Sequence, residues 1–249
     1  MLVTNDDGIT APGLRALAAA MADLGEVTVV APDAERSAVG HAITTLTPLR
    51  VKEVELEGGL RGHSVNGTPA DSVKLAVGAL LKDPPDLVVS GINLGPNTAT
   101  NIIYSGTVSA ATEARILGIP SIAISVGAFQ NPLWETAAIF ARRIATEVLA
   151  RGLPRKVLLN VNVPNLPPGE IRGVRITRQG ESAYEERFDA RTDPRSVPYY
   201  WAAGRYRMSD VEEDTDALAL EQGYVSVTPV SFDLTAYEFG AELSGWDLG

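Results

Sequence analysis

Up to about residue 170 the chain alternates two hydrophobic patterns. Short, nearly unbroken apolar runs, namely MLVT, EVTVVAP, DLVVSGIN, PSIAISV and KVLLNVNVP, read as strands buried on both faces. Between them, apolar residues recur every three or four positions in PGLRALAAAMADLG, TPADSVKLAVGALL, SGTVSAATEARILG and LWETAAIFARRIATEVLARG, which read as helices. Pro12 stands near the start of the first helix and Gly25 at its stop, while Thr68 or Asp71 caps the second with Pro69 in its first turn. Short apolar strands separated by helices imply a parallel sheet covered on both sides. The expected fold is therefore α/β, a Rossmann-like three-layer arrangement around a mostly parallel sheet, with the strand order left open.

Beyond that point the rhythm stops. IRGVRITRQG through SVPYYWAAGRYRM mixes β-like stretches, aromatics and charges without a long helix, as an extended hairpin or arm would. GYVSVTPVS then reads as a strand again. The expected division is an α/β core over 1–180, followed by a β-rich arm, a returning core strand at about 224–230 and a tail within 181–249. Leu234, Tyr237, Phe239, Leu243 and Trp246 make that tail apolar, so it should pack on its own core or on a second copy.

Composition narrows the function classes. With 249 residues, 45% of them hydrophobic, the chain can bury one large core. No apolar run is long enough to span a bilayer, and no basic-then-apolar leader opens the chain, so a cytoplasmic protein without membrane contact is expected. Zero cysteines remove disulfides, thiolate nucleophiles and thiolate-bound zinc. A net charge of −10 argues against a groove for long nucleic acid, though not against one small phosphate held by a metal ion and helix-end amides.

Ligands of an open parallel sheet collect beyond the carboxyl ends of its strands. Polar clusters lie there: NDDG after the first strand, DAERSAVGH after the second, SGINLGPN, and YSGT before the next helix. The first is no dinucleotide loop, because G-x-G-x-x-G is missing and two carboxylates would repel a diphosphate. Asp6 and Asp7 make sense side by side if they flank a hard divalent cation such as magnesium, manganese or calcium. The alternative is an Asx-turn in which Asp6 caps and Asp7 is merely solvated.

NDDGITAPG, APDAERSAVGHAIT, NGTPADSV, VVSGINLGPN, IYSGTVSAATEA and GYVSVTPV occur in this order over nearly the whole chain. In this the sequence resembles the SurE family, the stationary-phase survival protein E, whose members are metal-dependent 5′/3′-nucleotidases. The resemblance implies a phosphomonoesterase acting on nucleoside monophosphates, with short polyphosphate as a secondary substrate. It implies one divalent cation per subunit, Mg²⁺ or Mn²⁺, on Asp6, Asp7, Ser37 and Asn93, and a homodimer or homotetramer. In YSGT, Ser105 and Thr107 offer hydroxyls and Gly106 permits close backbone approach, suiting a phosphate cradle, although a serine N-cap uses the same geometry. Asn97 and Asn66 are further candidates for substrate contact, the latter also readable as a turn residue, and His41 is the candidate general acid, a packing histidine being the alternative. His63 is expected in a turn with no role. Tyr199, Tyr200 and Trp201 fall in the arm, where subunit contact is favoured over base stacking. Family members commonly carry a further residue or two before the first strand, whereas here Met1 and Leu2 begin it, which is expected to shorten that strand and leave the ligand positions untouched.

The expected chemistry is hydrolysis by a metal-activated water, with the YSGT loop stabilising the phosphoryl oxygens. Two rivals differ in kind. A covalent aspartyl-phosphate mechanism generally spaces its carboxylates as D-x-D, whereas here they are contiguous. A nucleotide-binding stress sensor or assembly module would account for the long β-rich C-terminal part, but would hold nucleotide and release no phosphate.

Overall fold

The computed structural model describes residues 1–56 and 59–248, so Gly249 at the end of the expected tail lies outside the described residues. Nine strands form one sheet: β1 (Leu2–Thr4), β2 (Thr28–Pro32), β3 (Val51–Glu55), β4 (Arg61–Val65), β5 (Val88–Leu94), β6 (Ser121–Val126), β7 (Val157–Val163), β8 (Val174–Ile176) and β11 (Val225–Ser231). Their order is β3-β4-β2-β1-β5-β6-β7-β11-β8. The six strands from β4 to β7 run parallel, while β3 on β4 and β11 on β7 are antiparallel.

Alternation along the central strands sorts side chains into two layers. Leu2 and Val88 point to one face, where Val73 of α2 (Pro69–Leu75) and Ala76 just beyond its end meet Ala110 and Ala114 of α4 (Gly106–Ile116). Val3 and Val89 point to the other, against Leu14, Leu17 and Met21 of α1 (Pro12–Ala22) and Phe140, Ala141 and Ala145 of α5 (Trp134–Arg151). Each large side chain buried this way contributes roughly 1.5–3 kcal/mol. The three-layer fold follows from this two-sided burial, as the uninterrupted apolar runs imply.

Several local expectations change. The helix read over 68–81 is α-helical only to Leu75 and continues as a π-turn over Ala76–Leu80, where Gly78 adds little helical preference. Thr68 and Asp71 share the cap between them as a capping box. His63 sits within β4 rather than in a turn, because Arg61–Val65 completes the sheet between β2 and β3. Three short helices, α3 (Asn101–Tyr104), α6 (Asp216–Glu221) and α7 (Tyr237–Leu243), had no clear periodic signal at four to seven residues. Between β8 and α6, β9 (Ser182–Thr192) and β10 (Pro198–Met208) pair antiparallel as a separate two-stranded ribbon.

Candidate active site

The loop after β1 is closed by Asn5, not by either aspartate. Its Nδ2 donates to the Gly8 carbonyl (3.0 Å) and its Oδ1 accepts from the Gly8 amide (3.2 Å). Gly8 adopts φ +101°, with a Cβ position only 3.2 Å from the Ala34 backbone, so glycine is required where this loop meets the loop after β2. The Arg36 amide donates to the Asp6 carbonyl (2.7 Å), locking the two loops together. Both aspartate side chains are thereby left for other work.

Asp6 is buried and turned onto the first turn of α4. The Thr107 hydroxyl and the amides of Gly106 and Thr107 all donate to its carboxylate. A Cβ on Gly106 would lie 2.7 Å from Asp6 Cβ, so only glycine lets the helix approach. The Ser105 hydroxyl is the N-cap and accepts from the Val108 amide at 3.1 Å. The helix end expected to cradle a phosphate therefore receives a carboxylate of the protein itself, and the close approach that Gly106 permits is to Asp6.

Burial raises the Asp6 pKa more than these hydrogen bonds lower it. For Asp7, burial first, then the charges of Asp6 and Glu35, push the value up to about 6, against a weak contact from the Leu94 amide at 3.4 Å. Among the described residues, neither carboxylate has a Lys, Arg or His ion-pair partner. Two crowded, uncompensated carboxylates at a strand end suit a divalent cation.

Neutral oxygens stand nearby. β5 breaks register with β6 between Ser90 and Asn93, and the break delivers Asn93 to the sheet's carboxyl edge. Gly91, at φ +138°, has no room for a side chain against the Ile124 carbonyl. The Asn93 Nδ2 donates to the Gly95 carbonyl (2.7 Å), while its Oδ1 is without a protein partner among the described residues. Ser37 is exposed on the loop joined to Asp6 through Arg36, and its hydroxyl donates to Glu35 Oε1 (2.6 Å). Among the described residues no three His, Asp or Glu side chains cluster to hold a metal, so any ion here relies on two carboxylates plus neutral oxygens. That all-oxygen set fits a hard cation.

The remaining candidates are engaged elsewhere. Asn97 is buried with its Nδ2 on Ser125 Oγ (2.9 Å), and its main chain is gripped by Asn160 and Asn162. Asn66 accepts from the Arg50 amide (2.7 Å) through Oδ1 and from Arg36 through its carbonyl, bracing a turn. His41 Nε2 lies 2.7 Å from Oε2 of Glu113, a buried carboxylate on α4 that also accepts from Lys74 Nζ at 3.0 Å. Burial would raise the Glu113 pKa, but the bonds from His41 and Lys74 outweigh it and hold it below the usual value. Tyr199, Tyr200 and Trp201 lie exposed on the ribbon.

Two buried acids escape a reading by motif. Glu113 carries a signal, being a charge among the buried alanines 110, 111 and 114 of one helix. Asp216 carries none, since the amides it accepts from, Ala99, Gly180 and Ala217, are mostly remote in sequence. It ties the loop after β5 to the foot of the ribbon.

The family model described as "Survival protein SurE" matches residues 1–186. The 5′-nucleotidase SurE of Syntrophobacter fumaroxidans is 52% identical over 248 residues, covering 100% of this chain and 99% of that protein. The 5′-nucleotidase SurE of Moorella thermoacetica is 51% identical over 247 residues, covering 99% and 95%. Among solved structures, the SurE protein from Aquifex aeolicus superposes with a TM-score of 0.86 at 45% identity, covering 98% of each chain.

Proposed function

The chain belongs to the SurE family, and from that premise we propose that it hydrolyses nucleoside 5′-monophosphates, with 3′-monophosphates as a second ester class, at the Asp6–Asp7 end of the sheet. The observation that carries this reading is the pair of crowded carboxylates without a protein cation. Asp6, Asp7, Ser37 and Asn93 would hold one Mg²⁺ or Mn²⁺ per subunit. Such an ion, when bound, supplies positive charge to the phosphoryl group and activates a water for attack.

The protein's part is orientation. Thr107 and the amides of residues 106 and 107 hold the Asp6 carboxylate in place. The Asn93–Gly95 bond fixes the carboxamide so that its oxygen is the open atom. Gly106 and Thr107 thus serve chiefly by seating Asp6 and Ser105 by capping α4, while the end of that helix adds positive potential for a phosphate. Asn97 and Asn66 serve by holding loops.

The same site favours terminal monoesters over internal diesters, and short polyphosphate fits it because only the phosphoryl end need be held. Among the described residues no helix is long and apolar enough to cross a membrane. The lack of cysteine suits a reducing cytoplasm. Assembly into a homodimer or homotetramer is supported by the exposed apolar tail.

Phosphate release from a panel of nucleoside monophosphates tests the reading. Chelation should abolish release, and added Mg²⁺ or Mn²⁺ should restore it. Undiminished turnover in metal-stripped protein would overturn the metal assignment, and no release from any member of the panel would overturn the activity.

A further inference from the structure

The loop beyond Asn93, the segments after β6 and β7, and α6 border an open cavity of about 920 Å³, within the size range of small-ligand sites. Its wall begins at Pro96, two residues after Leu94, whose amide faces Asp7. Phe129 lines it, with its ring packed so closely on Gly95 that a Cβ there would lie 2.9 Å from the ring's Cδ1. Phe129 is 74% exposed, which leaves it open to an incoming ligand. Leu220 of α6 and Met208 at the foot of the ribbon add apolar and polarisable wall. Asn101 contributes a half-buried carboxamide with no hydrogen-bond partner among the described residues, and Thr98 a hydroxyl.

We infer that this cavity receives the nucleoside end of the substrate, its planar base against Phe129 and the base edge on the Asn101 carboxamide. The inference rests on the phosphatase reading for where the phosphate lies. An aromatic ring accepts any base face, and a carboxamide presents a donor and an acceptor together, as a base edge does. The distance from phosphate to base is then spanned by the segment from Asn93 to Asn101, which carries both a candidate ligand and the base contact.

The test compares adenosine 5′-monophosphate with p-nitrophenyl phosphate, which has the phosphate but no nucleoside, in the full chain and in its Asn101→Ala and Phe129→Ala variants. The ratio of the two kcat/KM values should fall about tenfold in each variant, the loss expected for one edge or stacking contact. An unchanged ratio in both overturns the inference. Adenosine titration by calorimetry adds a readout without turnover: binding weakened by both substitutions supports the subsite. Binding indifferent to them, or no binding at millimolar nucleoside, overturns it and leaves the cavity to another occupant. If the wild-type chain cleaves neither ester, the phosphatase reading fails by itself, and the titration still decides the cavity.

Discussion

Burial, then the charge of Asp6, then that of Glu35 raise the Asp7 carboxyl from 3.8 to about 6. Because the folded value is the higher one, Asp7 supports the native state fully below its unfolded pKa, and that support is lost as the pH rises through about 6. On the proposed metal assignment a divalent cation would take the place of the proton, so ion binding should stabilise the fold more at about pH 7 than at about pH 5. Thermal melts with and without Mn²⁺ check this; a larger shift at the lower pH would contradict it. Asp7→Asn should shrink both the metal-induced shift and the dependence on pH between about 4 and 6. Adjacent carboxylates behind a strand are conspicuous in a sequence because their repulsion demands a reason. What fixes them is not conspicuous: the Thr107–Asp6 bond spans 101 positions, and the role of Asn5 depends on a turn geometry that Asp would also fit.

Residues 36–49 form an irregular segment whose ties include the Arg36 amide on the Asp6 carbonyl, the Gly40 amide on the Tyr104 carbonyl, His41 on Glu113, Thr44 on Asp71, and the Thr68 hydroxyl on the Ala42 carbonyl. On the proposed reading this segment carries the ligand Ser37, and His41 would then be a positioning residue through its bond to α4. His41→Gln keeps a donor for Glu113 but no titratable ring. It should retain activity within a few-fold, whereas loss of a true general acid costs about 10²–10⁴-fold. His41→Ala should free the segment, weakening metal binding and speeding limited proteolysis there. Steady-state kinetics over pH for both variants separate the two roles, and equal collapse of kcat in both would restore the general acid. Long periodic helices and apolar strands were legible at this scale because burial on one or both faces writes itself into residue order. Short α3 and α6 were not, since four to six residues hold too little periodicity and depend on packing by remote groups such as Asp216.

The whole molecule leaves its end conspicuously unburied. Leu234 is 93% exposed and Leu248 73%, while the Phe239 and Trp246 rings stack edge to face at 5.9 Å on each other. Asp233 anchors the segment, accepting from Lys156 Nζ (2.7 Å) and the Tyr237 hydroxyl (2.6 Å). Truncation after Thr235 therefore keeps the sheet and the Lys156–Asp233 bond but removes Tyr237 with the rest of the apolar tail. Sedimentation at micromolar concentration should find the full chain as a dimer or tetramer and the truncated chain shifted toward monomer; identical monomers would show that the tail serves no assembly. That the tail is apolar is plain from its residues, but what covers it is not, because a contact with a second copy would leave no periodic pattern in one chain's residue order. The ribbon of β9 and β10 bears a different burden. Among the described residues its eleven-residue strands pair only with each other, so each presents an outer backbone edge. Such an edge invites further strands without limit. Along β9, Glu185, Arg187, Asp189 and Arg191 alternate in sign, and Arg187–Asp189 and Arg207–Glu185 pair at 3.2 and 2.9 Å. A foreign strand arriving there must strip water from those charges, which discourages fibre growth. The arm can thus remain long and open, with its charges acting as gatekeepers against polymerisation.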